Sequence, residues 1–185
     1  MNDPSVGEVD RFNMLEGAPM PWFNKSSDLR ASAGALWMAM GNNCLAQQLS
    51  LGEGFDMSAV WPVYLLLCGM SLELLYKAIW VAERKKPEQI HKLIDLVKAA
   101  GLPMKPSSED TLTLLTGCVE WWGRYPVPKG KKSFHDFHTL YKKVMYTTNK
   151  FRGFDILKAT DALSWESFNE LWTEAQVQFF RKYQL

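Results

Sequence analysis

The sequence predicts an all-α protein, an antiparallel bundle of about five to six helices joined by short loops. Apolar residues recur at three- and four-residue spacing along most of the chain, proline, glycine and serine interrupt those stretches at helix-sized intervals, and no run shows the strict alternation of a half-buried strand. At 185 residues, with 47% hydrophobic and 22% charged residues, the chain has the composition of one ordinary globular domain.

Residues 1–25 contain Pro4, Gly7, Gly17, Pro19 and Pro21 without an apolar period, so they read as a flexible arm, with a single folded domain over 26–185. Ser27 and Asp28 suit the cap of a first helix in which Leu29, Ala33, Leu36, Met40 and Cys44 share a face, ending by Gly52. A second helix runs from about Trp61, with Pro62 acceptable in its first turn, to about Lys85, and Leu72, Leu75, Ile79 and Ala82 form its later stripe. The uncharged run within this region, Met57 to Leu72, is 16 residues long, shorter than a membrane span requires, and is expected to be a core helix.

Pro87 separates this helix from a third, about Pro87 to Ala100, which buries Ile90, Leu93, Ile94 and Val97 and closes on Gly101. A fourth opens where Ser107 and Asp110 have capping-box spacing, and carries Leu112, Leu115, Val119 and Trp122 inward. After the breaks at Pro126, Pro128 and Gly130, Ser133 and Asp136 repeat that spacing at the head of a fifth helix bearing Phe134, Phe137, Tyr141 and Val144. The last helix starts near Ser164 and presents Phe168, Trp172, Ala175 and Phe179.

Composition narrows the setting. Asp3, Glu8 and Asp10 precede the first basic residue, Arg11, so no secretory signal is read at the start and a cytoplasmic location without membrane attachment is expected. Cys44, Cys68 and Cys118 are far apart within apolar helical patterns, which suits reduced, buried thiols, and no CxxC pair offers a zinc site. Eight tryptophans and ten phenylalanines are more aromatic surface than one core of this size readily hides, and predict a homodimer.

The net charge of +1 is unevenly spread. From Trp121 to Lys158 nine Lys or Arg face only Asp136 and Asp155, a local charge of +7, with nine aromatic residues interleaved. Such a surface is the electrostatic footprint of a polyanion binder. It makes Tyr125, Lys129, Lys131 and Lys132 candidate nucleotide- or RNA-binding residues. A solvated helix face with its rings turned inward would leave the same pattern.

Five charged or titratable residues stand out on helix faces and at helix ends. Glu73, Lys77 and Arg84 lie on roughly one face of the second helix, and a charge at Glu73 inside a central helix points to a groove or a partner rather than open solvent. His91 falls in the predicted first turn of the third helix, where the helix dipole would favour a neutral, proton-accepting imidazole. Arg124 directly follows the fourth helix, placed either to cap its carbonyl end or to hold a phosphate.

The pattern Met70-Ser71-Leu72-Glu73-Leu74-Leu75-Tyr76-Lys77-Ala78-Ile79, then Pro87, then His91-Lys92-Leu93, then Arg124-Tyr125-Pro126, resembles the HEPN family, the higher eukaryote and prokaryote nucleotide-binding domains. In that family a helix with Glu and Lys one turn apart precedes a Pro-containing turn and a His-Asp-Leu helix start, and an Arg-Tyr-Pro closes a later helix. The resemblance covers about residues 60–126, with Lys92 where Asp is usual. It implies a four- to five-helix bundle, homodimerisation, and binding of nucleotides or RNA within toxin–antitoxin or phage-defence systems. Many members are metal-independent ribonucleases marked by an Arg, four to six residues and a His, and Arg84 and His91 meet that spacing. In a nuclease of this kind His91 would take the proton from a ribose 2′-hydroxyl, Arg84 or Arg124 would stabilise the phosphorane, and Glu73 and Lys77 would line the site, with no cofactor.

Two other readings remain open at this point. The bundle would serve as a noncatalytic interaction module for a nucleotidyltransferase or another protein, such as a cognate antitoxin, with Glu73 and Lys77 in the interface. Alternatively His135 and His138, on one helix face, would hold a hydrolytic metal, although the sequence offers no third ligand beside them.

Overall fold

The structure is a computed structural model that describes residues 4–83, 86, 89–152 and 154–183, with side chains from residue 11 onward apart from Asn43. Among these residues the protein is a predominantly helical bundle, as the sequence predicts. Its elements are α1 (Pro4–Gly17), α2 (Pro19–Met40), α3 (Asn43–Gln48), α4 (Trp61–Ala82), α5 (Leu93–Ala99), α6 (Pro106–Gly117), α7 (Lys131–Met145), β1 (Tyr146–Phe151), β2 (Phe154–Ala159) and α8 (Trp165–Tyr183). A 3-10 turn, Met57–Val60, leads into α4, and a π-helical segment, Cys118–Trp122, prolongs α6.

Helix α4 is the centre. Helices α2, α5, α6 and α8 and the π-helical segment all pack against it, and thirteen of its 22 residues are buried. With its leading turn it makes the stretch Met57–Ala82, which by length and composition alone could cross a membrane. Its enclosure by other helices of the same chain accounts for that apolarity. Gly69 lets α6 come close: a Cβ there would lie 2.6 Å from Val119 Cγ2 and 2.9 Å from the Leu115 carbonyl oxygen.

A buried polar clasp ties three helices together. Ser26 Oγ on α2 donates to the Ser71 carbonyl at 2.7 Å, and Ser71 Oγ on α4 donates back to the Ser26 carbonyl at 2.8 Å. Trp172 Nε1 on α8 then donates to Ser26 Oγ at 2.9 Å. Around it, the Arg30 guanidinium sits 4.1 Å from the centre of the Trp172 ring and bonds Asn169 Oδ1, and Phe23 stacks on Phe179 at 4.7 Å.

Several boundaries differ from the sequence expectation. The supposed arm is helical from Pro4, and α2 begins at Pro19 rather than near Ser26, with Phe23 buried in the core. Pro19 and Pro21 are acceptable because first-turn amides need no intrahelical partner. The first expected helix stops at Met40, and Cys44 is exposed on the short α3, whereas Cys68 and Cys118 are buried, which pushes both thiols up. Ser107 and Ser133 sit inside the first turns of α6 and α7 rather than capping them, because Pro106 and Lys131 already start those helices. Pro87 lies outside the described residues, and α5 begins only at Leu93.

Other signals hold. Gly101, at φ +63, ends α5: its N–H reaches the Lys98 carbonyl and that of Leu102 the Val97 carbonyl, both at 3.0 Å, the paired bonds of a Schellman end. Ser164 Oγ accepts from Ser167 N–H at the head of α8, whose Phe168, Trp172, Ala175 and Phe179 are all buried.

The hairpin β1–β2 was not expected. Its antiparallel register runs from Tyr146↔Ala159 to Phe151↔Phe154, and every residue of both strands is exposed. With no buried face, no apolar/polar alternation is imposed on its sequence.

Gly69→Ala is expected to cost about 2 kcal/mol through overpacking against Val119 and Leu115, lowering the melting temperature by roughly 4–8 °C. Gly41→Ala, where a Cβ meets nothing, serves as the control. Equal melting of wild type and Gly69→Ala would contradict the close α4–α6 approach.

Candidate functional site

Helix α5 starts without a cap of its own. Lys92, in extended conformation, supplies no side-chain acceptor, so the Leu93 amide donates instead to Thr116 Oγ1 on α6 at 3.1 Å. Thr116 Oγ1 passes its own hydrogen to the Leu112 carbonyl at 2.9 Å. A short acidic residue at 92 would cap the amides of Ile94 and Asp95 locally; here the bond is tertiary, made by the Leu93 amide, and fastens the His91–Lys92 turn to α6.

From that turn His91 reaches α4. Its Nδ1 lies 3.0 Å from Glu73 Oε1, and Lys77 Nζ donates to the same oxygen at 2.7 Å. The Glu73 and Lys77 side chains are each only 8% exposed, while that of His91 is 56% exposed. Because a carboxylate only accepts, Nδ1 carries the hydrogen in this contact, and Nε2 is the ring nitrogen that takes no part in it. A buried acid and amine thus hold a surface imidazole in one orientation and one tautomer.

Three of the sequence-predicted residues therefore converge: Glu73, Lys77 and His91. His91 precedes α5 instead of lying in its first turn, so its neighbour is a carboxylate rather than the helix amides. Arg84 lies outside the described residues. Arg124 is exposed and bonded to the Val119 carbonyl and, at 3.0 Å, to that of Glu120. It serves the carbonyl end of the π-helical segment, where unpaired acceptors are to be expected. Tyr125 is exposed, with the Arg124 guanidinium 5.7 Å from its ring centre.

Lys129, Lys131 and Lys132 are exposed, the last two in the first turn of α7, which has no acidic residue there and no side-chain cap. Positive charge at this end opposes the helix dipole, so the cost is relieved by an anion. Between the start of α5, α6, the π-helical segment and α7 lies a cleft of about 730 Å³, with Lys92 and Lys129 at its walls. It joins the His91–Lys92 turn to the basic loop. Asp95, Glu120 and Asp136 also line it, so it holds more acid than base. A separate apolar groove of about 420 Å³ between α8 and the α5–α6 loop contains none of the predicted site residues.

The histidines of α7 are placed differently. His138 packs on Phe134 and against the edge of Phe137, with ring centres at 4.2 and 5.7 Å, while His135 is exposed. Among the described residues no three His, Cys, Asp or Glu side chains are grouped to hold a metal.

Comparison with known proteins gives no match to a family model, a curated protein or a solved structure.

Sequence reasoning missed the cap on Thr116, the acids of the cleft and the hairpin. The hairpin did leave a signal, two short β-branched and aromatic runs, Tyr146–Phe151 and Phe154–Ala159, separated only by Arg152 and Gly153. Of the aromatic residues behind the homodimer expectation, all eight tryptophans are buried or half-buried within the one chain, whereas Phe12, Phe55, Phe134, Phe151 and Phe154 are exposed.

Removing one member of the buried pair should be costly. Glu73→Ala is expected to destabilise by about 3 kcal/mol because it strands Lys77, whereas Glu73→Leu with Lys77→Met recovers most of that loss. His91→Ala, at an exposed position, is expected to cost less than about 1 kcal/mol. Urea unfolding measures all three, and a harmless Glu73→Ala would contradict the buried pairing.

Proposed function

We propose that this protein is a HEPN-like helical protein that binds RNA or a nucleotide, in the manner of toxin–antitoxin or phage-defence components. The single observation that carries this reading is the His91 imidazole, held by a buried Glu73–Lys77 pair while its own side chain is exposed. Burying an acid and an amine to orient one surface imidazole costs stability that a purely apolar packing would not. The run of bases from Arg124 to Lys158 supports the same reading, since it supplies the field a phosphate backbone requires.

Within this reading His91 is the group placed to accept a proton from a ribose 2′-hydroxyl, at Nε2. Arg124, engaged with helix carbonyls, acts as a structural cap, and phosphate contacts fall to Lys129, Lys131 and Lys132.

Purified protein incubated with labelled RNA in EDTA tests both binding and cleavage. Salt-dependent binding is expected, and the Lys129→Ala, Lys131→Ala, Lys132→Ala variant should flatten the slope of log affinity against log salt by about 2. Cleavage that persists in EDTA and disappears in His91→Ala would make the protein a metal-independent ribonuclease. Absence of any RNA or nucleotide binding would overturn the proposal and leave the bundle as an interaction module.

A further inference from the structure

Resting on the RNA-binding reading above, we propose that the β1–β2 hairpin is a stacking platform for single-stranded RNA. Phe151 and Phe154 would receive bases, and Arg152 at the turn and Lys158 on the same face would neutralise the backbone. All twelve strand residues are exposed, so the ribbon gains no stability from the core, and a lone two-stranded ribbon is marginal in water. Phe151 and Phe154 are directly opposed in the register, which puts both rings on one face at 58% and 74% exposure. The Arg152 guanidinium lies 5.4 Å from the centre of the Phe151 ring, and its backbone occupies the left-handed region at φ +50, where a glycine or asparagine is the usual choice.

Charge selects the occupant. From Lys131 to Ala159 seven basic residues face two acids, and of these Lys143 is paired with Asp110 at 2.6 Å. The neighbouring cleft carries three carboxylates and is a poor seat for phosphate, so α7 and the ribbon offer the better backbone path. A second copy would bring the same positive ribbon against itself, and an apolar protein surface would bury Arg152 and Lys158 without partners, while Lys150 stands opposite Asp155 in the register. A single strand supplies both an opposite charge for these groups and flat rings for the two phenylalanines.

The test is fluorescence anisotropy of the full chain with a labelled, mixed-sequence single-stranded RNA, alongside its duplex. Phe151→Ser with Phe154→Ser is expected to weaken single-strand binding at least about thirtyfold with the salt slope unchanged, since no charge is lost. Phe151→Trp with Phe154→Trp should retain wild-type affinity, and unchanged melting temperatures in both variants would show that the bundle is intact. Arg152→Ala should instead flatten the slope. Wild-type affinity in the serine variant would overturn the platform while leaving RNA binding elsewhere intact. Failure of the wild-type chain to bind any RNA would remove both readings. Preferential capture of polyglutamate, or a dimer that the serine substitutions dissolve, would assign the hairpin to a protein partner and overturn the proposal.

Discussion

Helix α4 has almost no face left for water, and this enclosure governs both the architecture and the chemistry of the protein. Helices packed against it must bury their own apolar stripes, and any polar group it carries must find a partner inside the protein. Ser71 meets that requirement by exchanging hydrogen bonds with Ser26 while Trp172 joins from α8, so α2, α4 and α8 are fixed in relative register. Glu73 and Lys77 meet it by pairing with each other, two residues and six residues further along the same helix. The pair does more than satisfy itself, because Glu73 Oε1 also receives the ring of His91 from a different segment. Packing and a candidate site are thus consequences of one constraint.

Much of this was legible from residue order. The helical periods of α4, α6 and α8, the Gly101 end of α5 and the Ser164 cap of α8 rest on local physics that sequence spacing expresses directly. The pairing of Glu73 with Lys77 was legible from their one-turn spacing. What could not be read was tertiary. Lys92 has no local cap because Thr116, 23 residues away from Leu93, provides one. Phe23 joins the core because Phe179 and Trp172 receive it, although the prolines around it suggested an arm. Arg124 taken alone suited a helix end, with a phosphate role only through the family resemblance, and it bonds the carbonyls of the π-helical segment.

The distribution of polar groups also separates two tasks. The His91 assembly is small and rigidly held, suited to positioning one proton acceptor. The basic residues of the 129–132 loop, α7 and the hairpin are exposed, suited to long-range attraction of a charged chain. Under the proposed function the second surface would gather the RNA and the first would act on it.

Photo-crosslinking of single-stranded RNA to the full chain, followed by mass-spectrometric mapping, tests this account most directly. It predicts crosslinked peptides from the 129–132 loop, the 146–159 hairpin and the turn carrying His91 and Lys92. Crosslinks confined to α2 and α8, or none under conditions in which RNA is bound, would contradict it.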